Sequence, residues 1–187
     1  MSLATRFSVA VRDPLLRFLS TAAGLYVLWY LAYELVIHPW GKLDRAVIDN
    51  LIDLSGWMLK VLGHSLIPEP ANAEMIRTIG VQGGHLLWIG DPCNGVSLFA
   101  VFLIFIVAYP GPWRHKLWFG PLGLLSIHLI NALRIVALCL VVTIDYELLN
   151  FNHDYTFYVI VYGWVFILWA LWVRTFRPDS HVAMDRA

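Results

Sequence analysis

Three side chains in this sequence have the types needed to cut an amide bond: a thiol at Cys93, a guanidinium at Arg134 and an imidazole at His153. A thiol attacks a carbonyl as its thiolate, so an imidazole that takes or balances the proton activates it. The tetrahedral intermediate carries an oxyanion, which a fixed guanidinium stabilises where water is scarce. The imidazole can then protonate the departing amine. Cys93 stands in Asp91-Pro92-Cys93-Asn94-Gly95 at the head of an apolar run, and Gly95 lets the backbone approach whatever the thiol meets. Asn131 precedes Arg134 by one helical turn on the same side, and Asp154 is a candidate to orient the His153 ring.

The elements that must position these groups are membrane elements. Of the 187 residues 59% are apolar and 14% charged, which places the chain among integral membrane proteins, with one membrane-embedded domain over 1–187. Net charge is zero and no basic patch or nucleic-acid motif occurs, so nucleic acid is not an expected partner. Two cysteines, Cys93 and Cys139, make no disulfide framework, and no Cys-x-x-Cys or His-Glu-x-x-His spacing points to a metal.

The expected fold is all-α, with about four transmembrane helices over 18–37, 94–109, 117–144 and 156–173. The first reads as a retained span, because Glu34-Leu35-Val36-Ile37-His38 offers no small-residue cleavage site. Between the first two spans lies a long polar loop, about 38–92. Within it Val47, Leu51, Leu54, Met58 and Val61 recur at helical spacing among Asp44, Arg45, Asp49, Asp53 and Lys60. Charges at a bilayer centre cost roughly 2.5–3.5 kcal/mol each. An amphipathic helix on the surface or over the bundle therefore fits better than a span, with Pro68-Glu69-Pro70 as its end. A short β-hairpin is expected around Gly83-Gly84, delivering the chain to Cys93.

Basic residues set the orientation. Arg6, Arg12, Arg17, Arg114, Lys116, Arg174, Arg177 and Arg186 fall on one side, against Lys42, Arg45, Lys60 and Arg77 on the other. The positive-inside rule puts the first side, and both termini, in the cytoplasm of a multi-pass cell-membrane protein. Cys93 and His153 then lie at the outer ends of their spans. Arg134, about 15 Å below Ile144, is expected to snorkel toward them. His128 and Cys139 read as structural, while Trp88 and Trp164 are candidates to line a groove. The alternative is a non-enzymatic membrane subunit, a small-solute transporter or an assembly scaffold, with Arg134 and His128 lining a polar pathway.

At these residues the chain resembles the exosortase/archaeosortase family of membrane-embedded cysteine transpeptidases. The family's Cys-x-Gly at the start of a span, Asn-x-x-Arg within the next and His before a later span are matched by Cys93-Asn94-Gly95, Asn131-Ala132-Leu133-Arg134 and His153. Many members carry Ser after the Cys, where this chain has Asn94. The resemblance covers about Gly80 to Val173 and implies processing of exported proteins. Cys93, Arg134 and His153 would be catalytic, with Asn131, Asn94, Gly95 and Asp154 in support. The implied partners are the C-terminal sorting-signal region of an exported protein, the lipid bilayer and a lipid or surface acceptor nucleophile; transfer or hydrolysis would resolve a thioester. The chemistry needs no cofactor.

Overall fold

The computed structural model describes residues 13–68, 77–145 and 157–176, and these are mostly helical. Asp13 caps the first helix, α1 (Pro14–Trp40), by accepting a hydrogen bond from the Leu15 amide at 2.9 Å, with Pro14 at the first position. A π turn over Tyr33–Ile37 interrupts α1 just before Pro39. Proline lacks the N–H and crowds the carbonyl four residues back, so a widened turn relieves the misfit. Gly41, at φ +66°, ends α1, and α2 (Lys42–Val61) starts directly. The first helix thus extends past both expected limits, and the polar loop begins as helix.

Helix α2 buries Asp44, Ile48, Leu51, Ser55, Gly56 and Leu59 along one side. Of the apolar stripe read from the sequence, Leu51 is buried, Val47, Leu54 and Met58 are partly buried, and Val61 is exposed. It ends well before Pro68, contrary to expectation. Gly63 at φ +87° takes the left-handed position, its N–H bonds to Lys60 O, and that of His64 to Leu59 O, both at 3.0 Å. This pair of bonds satisfies the last carbonyls of the helix, and no proline is needed. The hairpin is present but short: β1 (Thr78–Ile79) pairs antiparallel with β2 (Leu87–Trp88) in the register Thr78↔Trp88 and Ile79↔Leu87. Leu66 bridges Val81 on its other edge. Arg77 forms an ion pair with Asp49 of α2, whose hydrogen bond raises the arginine's pKa further.

After a 3-10 turn at Asp91–Cys93 come α3 (Val96–Ala108), α4 (Trp113–Ile144) and α5 (Phe157–Thr175). Arg114, His115 and Lys116 belong to the first turn of α4, not to a connecting loop as the sequence suggests. Lys116 is buried and donates to the carbonyls of Val107 and Tyr109, at 2.7 and 2.8 Å. Those are acceptors that the end of α3 leaves unpaired, so the charge serves as a helix C-cap.

Two apolar cores result. The lower one joins α3, α4 and α5 through Phe102, Ile106, Ile127, Val165, Leu168 and Trp172. Phe18 of α1 packs edge-on against Phe105 and Tyr109, at 5.5 and 5.6 Å between ring centres. The upper core joins Leu51 and Leu59 of α2, Ile79 and Leu87 of the hairpin, and Ile135, Leu138 and Val142 of α4. Helix α4 enters both because its 32 residues extend about 48 Å, beyond a hydrocarbon core of about 30 Å. Helices α1 and α4 are each long and apolar enough to cross a bilayer; α3 and the described part of α5 are apolar but shorter.

Helices α3 and α4 approach closely at Gly123, where an added methyl would lie 2.2 Å from the fully buried Phe102 ring. Gly123→Ala should cost about 1–3 kcal/mol through overpacking, read as a lower thermal midpoint of the solubilised protein. Gly24→Ala, with open space at that position, should show no loss.

Candidate active site

The segment carrying Cys93 is a tight turn held by its own backbone. Cys93 N–H donates to Gly90 O at 2.9 Å and Asn94 N–H to Asp91 O at 3.2 Å. Gly95 then adopts φ +79°, which reverses the chain into α3. Asn94 Oδ1 accepts from Val96 N–H at 2.8 Å, satisfying one of the orphan donors at the start of that helix. Cys93 is half-buried, forms no disulfide, and sits three residues before the first residue of α3, the end of that helix that attracts negative charge.

Across from the turn stand Asn131 and Arg134, one turn apart on α4 and only 2% and 8% exposed. Asn131 Nδ2 donates to the Cys93 carbonyl at 2.8 Å. Arg134 borders a cavity of about 110 Å³ that it shares with Asp91, Asn94, Gly95 and Asn131, and Val161 and Tyr162 of α5 close its other side. The α4 residues beyond Arg134 pack into the upper core. Arg134 thus borders the cavity at the level of the Cys93 turn. His153 and Asp154 lie outside the described residues.

Behind the turn lies a group that sequence reasoning missed. The Asp44 carboxylate is 3% exposed, and its Oδ1 accepts hydrogen bonds from Asn94 Nδ2 at 2.7 Å and Tyr33 OH at 2.9 Å. His38 Nδ1 lies 3.4 Å from its Oδ2 and 3.8 Å from Asp91 Oδ2. An acid in the first turn of a helix ordinarily complements the helix dipole at the surface, so nothing in the linear pattern marks Asp44 as buried.

A family model described as transmembrane exosortase (Exosortase_EpsH) matches residues 8–174. The chain belongs to the transmembrane exosortase family. A search of curated proteins finds no match, and neither does a search of solved structures. The matched span holds the Cys93 turn, the Asn131–Arg134 turn and His153. Membership makes this exosortase a membrane protein of a class that processes exported proteins by cysteine protease or transpeptidase chemistry.

The remaining candidates sit elsewhere in this exosortase. His128 Nε2 is 2.7 Å from Asn50 Oδ1 of α2, so it ties two helices together and does not line the cavity beside Arg134. Cys139 is fully buried in the upper core, as expected of a packing residue. Trp164 spends its indole N–H on Ser126 Oγ at 3.1 Å, and the exposed Trp88 ring lies over Gly90. The difference in burial between the two thiols predicts that a maleimide added to isolated membranes labels Cys93 and spares Cys139. Labelling of Cys139 alone would contradict this.

Proposed function

We propose that this exosortase cleaves exported proteins near a C-terminal sorting signal with Cys93 as nucleophile, Arg134 as oxyanion stabiliser and His153 as proton carrier. The Cys93 thiolate adds to the scissile carbonyl, forming a C–S bond and an oxyanion that Arg134 balances. Collapse breaks the C–N bond, and the amine leaves with a proton from His153. The thioester is then resolved by an acceptor nucleophile or by water. The single observation that carries this reading is the bond from Asn131 to the Cys93 carbonyl, which lays the helix turn of Arg134 against the thiol turn around one small cavity.

Four membrane crossings, with the inner ends of α1 and α5 in the cytoplasm, complete the proposal. The basic residues Arg17, Arg114, Lys116 and Arg174 gather at that end, and the Cys93 turn opens on the outer side. The hydrocarbon-crossing part of α4 is then its first two-thirds, with the upper core standing over the outer leaflet. The substrate approaches laterally as a membrane-anchored tail, and its scissile bond meets the thiol at the interface.

The test is accumulation of uncleaved substrate in cells, read beside the membrane level of each variant. Cys93→Ala should abolish processing at normal protein level, and Cys93→Ser should leave at most a trace. Arg134→Lys retains charge but loses the planar fork, so processing should fall about a hundredfold. His153→Ala should be comparably damaging, whereas Cys139→Ala should change little. Full processing by a well-expressed Cys93→Ala variant would falsify the assignment.

A further inference from the structure

The peptide unit joining Cys93 to Asn94 is clamped from two sides. On one, Asn131 of α4 holds the Cys93 carbonyl at 2.8 Å; on the other, the Asn94 side chain is fixed at both ends. Its oxygen accepts from Val96 N–H at 2.8 Å, and its nitrogen donates to Asp44 at 2.7 Å. Asp44 in turn is anchored by α2 and by the Tyr33 hydroxyl at 2.9 Å, presented from the π turn of α1. The groups that face it are Tyr33 and His38 from α1 and Asn94 from the turn, with Asp91 on the far side of His38.

Among the described residues, the partners of this carboxylate are a phenol, an imidazole and an amide, with no guanidinium or ammonium. Burying a carboxylate in such company is expensive unless its hydrogen bonds are well made. Asp49, five residues further along α2, instead pairs with Arg77 at the surface. A buried acid placed against the residue next to a thiol is an expense that geometry at the thiol explains.

We propose that Asp44 is the positioning residue of the thiol turn: it acts on Cys93 through Asn94, fixing the turn whose residues Asp91, Asn94 and Gly95 border the Arg134 cavity. This role rests on the assignment of Cys93 as nucleophile. It also gives a reason for Asn at position 94: a carboxamide can accept from Val96 and donate to Asp44 at once. A hydroxyl in its place reaches less far and has one proton to give.

The test is a swap of the two partners in full-length protein in membranes, with Cys139→Ala so that one thiol remains. Asn94→Asp sets carboxylate against carboxylate. The turn should loosen, raising the rate of Cys93 alkylation by a charged maleimide about threefold or more and lowering processing about tenfold or more. Asp44→Asn combined with Asn94→Asp restores one donor and one acceptor across the pair and should return both readouts to within about twofold of the parent. Tyr33→Phe removes a different donor from the same oxygen and should shift alkylation less.

A swap protein present at parental level that keeps the loosened alkylation rate would overturn the proposal, as would an Asn94→Asp variant identical to the parent. Should Asn94→Asp fail to accumulate, the swap decides alone, because its recovery in the membrane with parental alkylation requires the pair to interact. Failure of the nucleophile assignment is distinguishable. Cys93→Ala would then process normally, while alkylation of Cys93 would still report the hold of Asp44 on the turn.

Discussion

A buried amide joins the two halves of this molecule. Asn131 stands on α4 where the lower core gives way to the upper one, and its donation to the Cys93 carbonyl fastens an irregular turn to the longest helix. Left unmade, that bond would strand the buried Asn131 amide at a cost of about 1–3 kcal/mol. The pairing therefore constrains both elements strongly. Because Arg134 lies one turn further along the same side, fixing Asn131 against the turn also fixes where the Arg134 backbone stands. Gly95 is part of the same constraint, since a side chain there would both strain φ +79° and crowd Asn131 Nδ2 at 3.3 Å.

The surrounding polar groups are arranged so that an otherwise costly burial is compensated. Asp44, Asn94, Tyr33 and Asn131 are bonded to one another or to the turn, and together they rigidify it as a satisfied network does. At the opposite end of the bundle Lys116 plays a purely structural part, closing the carbonyl end of α3. The charges thus divide by location: caps and ties where helices end, and a concentrated polar cluster where the thiol is.

Much of this was legible in the sequence, for physical reasons that also explain what was not. The apolar runs, the amphipathic period of α2 and the Gly83-Gly84 turn are local patterns, and each element exists. Their limits were misjudged where termination depended on a local backbone state: Gly63 in the left-handed region ends α2, and a π turn carries α1 through Pro39. The Cys-x-Gly and Asn-x-x-Arg motifs lead to two turns that the fold joins through the bond from Asn131 to the Cys93 carbonyl. Asp44 was invisible because its burial is tertiary, created by three segments that converge from α1, α2 and the Cys93 turn. His128 reads as structural from its place in the sequence, and its bond to Asn50 shows which helix it ties to α4.

The most direct test of the central claim is chemical. The enzyme, isolated while processing a co-expressed exported protein, would be digested and its Cys93 peptide weighed by mass spectrometry with and without hydroxylamine. The account predicts an acyl adduct on Cys93 that carries the substrate's newly formed C-terminus and is released by hydroxylamine, with Cys139 unmodified. Processing that proceeds while Cys93 stays an unmodified thiol, or an adduct found on a different residue, would contradict it.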